Sequence, residues 1–155
     1  MRTVVAGFSH STNIFSKLIM RITNSNISHA YIRLDNIVFQ ASGLFVNEHS
    51  WEYFLTYEVI IKEIPVIMTD EQFEKAEAFR KSALGKPYSI REVIGFVWVM
   101  FMKNIFNTKV SNPFKDDEKG FVCSELAARY LGIENEEENI TPCGLLEILE
   151  KRNLT

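Results

Sequence analysis

Apolar and polar positions follow a strand-like pattern in the first part of the chain and a helix-like pattern later. Thr3–Phe8 is a short, nearly continuous apolar run, as a strand requires. From Asn13 to Ile22 the period changes. Ile14, Phe15, Leu18, Ile19 and Ile22 recur at helical spacing, with Lys17 and Arg21 between them. Ala30–Leu34 and Ile37–Gln40 read as two strands around Asp35-Asn36, residue types that tolerate positive φ and favour a tight hairpin. Glu58–Ile64 is a further strand, which Pro65 is expected to limit.

Thr69-Asp70-Glu71 then opens a helix, with Thr69 or Asp70 as its cap and Phe73, Ala76, Phe79, Ala83 and Leu84 as its apolar stripe. Gly85 and Pro87 close it. A second helix is expected over Ile90–Asn104, a polar loop over Ser111–Gly120, and a short amphipathic helix over Cys123–Leu131 that Gly132 ends. Glu134–Glu138 reads as a solvated connector, and Thr141-Pro142 starts a final helix. Strands precede helices with little alternation, so the expected class is α+β around an antiparallel sheet, not a doubly wound α/β fold. No repeat, low-complexity tract or linker interrupts the 155 residues, which fit a single domain over 1–155.

Composition narrows the function classes. Almost half the residues are hydrophobic and twelve are phenylalanine, enough for a core without disulfide or metal staples. A net charge of −3 gives no electrostatic footprint for nucleic acid. The two cysteines and three histidines have no metal-like spacing, so no metal and no cofactor is expected. No secretory leader is evident at the N-terminus, and a reduced, cytoplasmic setting is the simpler expectation. The most apolar stretch, Val93 to Met102, is about half the length of a membrane-spanning helix. It reads as a buried or lid helix in preference to an interfacial anchor; a peripheral membrane contact stays open, and oligomeric state is not readable.

Chemistry concentrates on two residues. Cys123 follows Gly120-Phe121-Val122 and opens an amphipathic helix, whose free N–H groups and dipole favour a thiolate, the attacking species in cysteine catalysis. A small buried hydrophobe is the competing reading of Cys123, equally good on local pattern. Cys143 also lies in a first turn, in Thr141-Pro142-Cys143-Gly144, where a packing role fits better. Alternation along Ser28–Leu34 puts His29, Tyr31 and Arg33 on one face and Ala30, Ile32 and Leu34 on the other, which is uniformly apolar and goes to the core. His29 is then expected on the opposite face, free to form a site.

The hairpin adds a third residue. With Asp35-Asn36 as the turn, Leu34 pairs with Ile37, Tyr31 with Gln40 and His29 with Ser42. Gln40 becomes the diagonal neighbour of His29, roughly 7–8 Å away at the backbone and within side-chain reach. Its carbonyl oxygen would accept from one imidazole N–H and leave the other nitrogen to take a proton. A one-residue slip would remove the arrangement. His10 and His49 have no comparable partner and read as structural, although Ser9-His10 is placed to line the same cleft.

These segments, in this order, resemble the circularly permuted NlpC-type papain-like hydrolases, the YiiX-like group. The matching segments are Ile27-Ser28-His29-Ala30-Tyr31-Ile32, Val38-Phe39-Gln40-Ala41, Leu84-Gly85-Lys86-Pro87-Tyr88, Val122-Cys123-Ser124-Glu125-Leu126 and Thr141-Pro142-Cys143-Gly144-Leu145-Leu146. The resemblance implies Cys123 as nucleophile, His29 as base and Gln40 as the residue that orients it. It also implies a permuted papain-like fold, with a small antiparallel, partly barrel-like sheet packed against helices. Gln40 stands where the group often has an acid, and Ser89 where it often has aspartate.

The leading expectation is a thiol amidase or peptidase acting on a small acyl-amino-acid or cell-wall peptide. Two alternatives use the same scaffold. One is a lipid ester or thioester hydrolase or acyltransferase, with Ile90–Phe106 lining an acyl groove. The other is a silent binding module, against which the presence of both Cys123 and His29 argues.

Overall fold

Arg2–Ser11 forms β1, an inner strand of the sheet that carries the apolar run over its middle. The computed structural model describes residues 1–88, 122–133 and 140–153, with Gly95, Val99 and Met102. Helix α1, Ile14–Thr23, is capped by Asn13, whose Oδ1 accepts from the Ser16 N–H at 2.7 Å, and it leaves through Asn24 in the left-handed region. Strands β2, His29–Leu34, and β3, Ile37–Ser42, form the expected hairpin with Leu34 opposite Ile37. Asp35 takes the positive φ, +51°. Strand β4, Phe45–Ser50, leads into a single helical turn, α2, Trp51–Phe54. Strand β5 is Glu58–Met68 and helix α3 is Asp70–Ala83, with Thr69 and Gln72 making a reciprocal capping box. Helices α4, Cys123–Tyr130, and α5, Pro142–Asn153, complete the described elements. The Ile90–Asn104, Ser111–Gly120 and Glu134–Glu138 expectations fall largely outside the described residues.

The class is α+β with one antiparallel sheet in the order β4-β3-β2-β1-β5. The structure departs from the sequence reading in three places. The sheet is open where partial barrel closure was expected: β4 and β5 are its two edges, because β5 returns to pair with β1. Residues 45–50, assigned to no element from the sequence, form β4, whose ladder to β3 outweighs a mostly polar sequence. Strand β5 runs on past Pro65 to Met68; an edge strand tolerates proline, which has no N–H to give, on its open side.

Both faces of the sheet are covered. On one, Ala6, Phe8, Ala30, Ile32, Phe39 and Ala41 pack with Leu126, Ala127 and Tyr130 of α4 and Leu145 and Leu149 of α5. On the other, where His29 was expected to lie open, α2 folds back and buries Tyr31 and Val38 under Phe54, with Trp51 and Tyr57 alongside. Tyr31 lies across Gly7: a Cβ there would stand 2.0 Å from Tyr31 Cζ. The Arg33 guanidinium bonds Glu63 through two nitrogens, at 2.8 and 2.9 Å, and stacks over Trp51. Because every strand pair is antiparallel, the starts of β2, β4 and β5 and the ends of β1 and β3 share one end of the sheet. His29 is at that end.

Candidate active site

Cys123 is the first residue of α4, which packs along β2 and β3. The helix has Val122 at its N-cap, with no side-chain cap bond, so its free N–H groups are left for other acceptors. The Cys123 sulfur takes the role of acceptor: the backbone N–H groups of Ser124 and of Ala30 donate to it, and the thiol is hydrogen-bonded to the His29 imidazole. Cys123 is 4% exposed and His29 9%, so the pair is largely withdrawn from water.

Gln40 completes the arrangement as the hairpin register requires. His29 Nε2 is 2.8 Å from Gln40 Oε1, so Nε2–H donates to the amide oxygen and Nδ1 is left for the thiol. The orientation of the amide is fixed in turn: Gln40 Nε2 donates to the Tyr57 hydroxyl at 3.0 Å. The three sequence-identified residues are thus brought together. One detail differs: Gln40 was placed on a site face away from the core, and it is only 1% exposed, because α2 and Tyr57 close over it.

Electrostatics favour a charged pair. Burial alone would push the His29 pKa down, but the hydrogen-bonded thiol and its negative charge, the Glu58 carboxylate and the Gln40 amide outweigh it and raise it to about 9. For Cys123, burial pushes the pKa up, whereas the hydrogen bond and charge of His29 and the Ala30 and Ser124 N–H groups pull it below the ordinary thiol value. The two shifts run in the same direction, toward a thiolate beside an imidazolium.

Glu58, Tyr57 and Tyr88 were not given roles from the sequence. Glu58 starts β5 at the His29 end and accepts from the Ser9 hydroxyl at 2.7 Å, Ser9 being the β1 partner of His29. Tyr88, in the Gly85-Lys86-Pro87-Tyr88 segment, donates its backbone N–H to the Leu44 carbonyl at 2.9 Å. Burial, and then the nearby Cys123 charge, push its phenol well above the ordinary value, so it stays protonated. His10 bonds the Asn26 carbonyl, and His49 packs on Tyr53 and edge-on to Tyr57. Neither cysteine is in a disulfide; Cys123 is buried and Cys143 half-buried.

An open groove of about 550 Å³ is walled by Ser42, Leu44, Phe45, Asn47, His49, Tyr53 and Tyr57, and Cys123, His29 and Gln40 do not line it. Two of these residues are contacts of the site itself: Tyr57 holds Gln40, and Leu44 holds Tyr88. No family model matches the chain, and no curated protein matches its sequence.

The buried position of Gln40 sets a specific outcome. Gln40→Glu keeps an acceptor for Nε2–H and adds charge that favours imidazolium, so the variant retains more turnover than Gln40→Ala. The alanine variant loses roughly ten- to hundredfold in turnover and, because Tyr57 and the ring lose a buried partner, some stability as well. Parallel turnover and melting measurements on the two variants check both effects; equal turnover in wild type and Gln40→Ala removes the orienting role.

Proposed function

We propose that the protein is a cysteine-dependent hydrolase of amide or peptide bonds, with a permuted papain-like arrangement of Cys123, His29 and Gln40. The observation that carries this reading is the buried thiol–imidazole pair at a helix start, its imidazole held from behind by an amide oxygen. A small acyl-amino-acid or peptide substrate would lie in the groove beside Tyr57 and Leu44. Cys123 Sγ attacks the carbonyl carbon, and the carbonyl electron pair moves to oxygen. The Cys123 N–H and the protonated Tyr88 phenol are the nearby donors for that oxygen. Nδ1–H of His29 protonates the leaving nitrogen as the C–N bond breaks, leaving a thioester. The now neutral imidazole then takes a proton from water, whose oxygen attacks the thioester and releases the acid and the thiolate.

Activated substrates test the reading directly. An amino-acid p-nitroanilide and a p-nitrophenyl ester should be turned over by the wild-type protein, and Cys123→Ala should fall to the uncatalysed background. The pH profile should rise on its acid side as the thiolate forms and fall through about 9, where His29 loses the proton the leaving group needs. Undiminished hydrolysis by Cys123→Ala, or a profile flat through pH 9, rules the mechanism out.

A further inference from the structure

Helix α1 leaves part of its apolar side uncovered. Its one fully buried side chain is Ser16, whose hydroxyl accepts from the Ser11 N–H at 3.1 Å and lies 2.5 Å from the Ser28 hydroxyl. Three of its large apolar residues face solvent, Ile14 at 78% exposed, Phe15 at 58% and Leu18 at 43%, while Ile19, Met20 and Ile22 are half-buried. Burying such side chains is worth roughly 1.5–3 kcal/mol each, so a helix does not leave three of them outside for its own stability. Lys17 and Arg21, both exposed, border the apolar strip on one side, and no acid lies in the first turn. The chain as a whole carries −3, so this basic border runs against its overall charge.

The position of the helix matters as much as its face. Helix α1 connects the end of β1 to the start of β2, and Ser28, which its Ser16 holds, directly precedes His29. At the same end of the sheet the β3–β4 turn exposes Leu44 and Phe45, and β5 begins with exposed Val59. An apolar strip edged by cations, at the sheet end that also exposes these residues, has the chemistry of an interfacial helix.

We infer that α1 seats the His29 end of the sheet on an anionic lipid bilayer, with Ile14, Phe15 and Leu18 entering the acyl boundary and Lys17 and Arg21 meeting the headgroups. The docking stands on the exposed residues alone. That it would bring Cys123 to amide or ester bonds borne at a membrane surface rests on the proposed function.

Vesicle sedimentation of the full chain tests the docking without any turnover assay. The probes are vesicles of phosphatidylcholine alone and vesicles containing roughly 30% phosphatidylserine. Wild-type protein should sediment with the anionic vesicles at about 0.1 M salt, far less at about 0.5 M, and weakly with phosphatidylcholine alone. Lys17→Gln/Arg21→Gln should weaken anionic-vesicle binding roughly thirtyfold, and Ile14→Ser/Leu18→Ser should bring it to background. Both pairs lie on the outer side of α1, so melting temperatures should hold; the wild-type salt and lipid comparison stands without them. Equal sedimentation with both vesicle types, or none with either, overturns the inference. So does a concentration-dependent dimer in sedimentation velocity that Ile14→Ser/Leu18→Ser dissociates, since the strip then serves a second copy of the chain. Loss of docking with p-nitroanilide hydrolysis intact refutes only the membrane contact; docking with no hydrolysis refutes only the proposed function.

Discussion

His29→Ala should slow alkylation of Cys123 by iodoacetamide at least about tenfold at about pH 6.5, because each unit of pKa lost changes the thiolate fraction tenfold. Burial works against a thiolate at this position, and the imidazole is the largest of the groups that overcome it. Without the ring, the sulfur keeps the Ala30 and Ser124 N–H groups but loses its counter-ion, and the thiol pKa climbs back. Cys143 provides the internal reference. It sits in the first turn of α5, half-buried, with no imidazole beside it, so in wild-type protein it should label more slowly than Cys123. In His29→Ala the order should reverse or the two rates should converge, while the Cys143 rate stays constant. Peptide mapping of the labelled protein reads both rates in one experiment. A Cys123 rate unchanged by the substitution would mean that the imidazole does not hold the thiolate.

Gly7→Ala should destabilise the fold by about 3 kcal/mol, the upper range for forcing an atom into a packed interior. The added methyl would stand 2.0 Å from Tyr31 Cζ and 2.4 Å from its hydroxyl oxygen. The ring has nowhere to go: it is 1% exposed, lies against Phe54 with ring centres 4.6 Å apart, and bonds Glu63 through its hydroxyl at 3.2 Å. Since the Tyr31 and His29 rings are stacked with centres 6.5 Å apart, displacement of Tyr31 should also disturb the imidazole and slow Cys123 alkylation. Urea unfolding gives the stability change from the shift in midpoint at constant slope. A loss below about 1 kcal/mol would show that the two strands separate enough to admit the methyl, and that the second core is looser than its packing implies.

The site was legible in the sequence where it depends on local geometry. Asp35-Asn36 sets a two-residue turn, the turn sets the register, and the register brings Gln40 within a hydrogen bond of His29. A cysteine at a helix start carries its own reason for a lowered pKa. What depends on long-range pairing was hidden. Glu58 reaches the imidazole's surroundings only because β5 pairs with β1 across some fifty residues, with the register shifting between Phe8 and Ser9. Strand β4 carries little strand signal, because an edge strand can expose much of its length and Asn47, Glu48 and His49 are polar. The turn α2 covers the His29 face, so a position expected at an open surface proved buried. Helix α1 shows the limit most clearly. Its period was readable, but periodicity gives an apolar side without its direction, and here Ile14, Phe15 and Leu18 of that side point outward.

The thiolate–imidazolium pair is most directly tested by following thiolate absorbance in the far ultraviolet as pH rises, in a Cys143→Ser background so that Cys123 alone reports. The expected curve has its transition below the ordinary thiol pKa, and the transition moves upward in Cys143→Ser/His29→Ala. A transition at or above the ordinary thiol value, the same with and without His29, would show that Cys123 is a buried neutral thiol and not a nucleophile held ready by its neighbour.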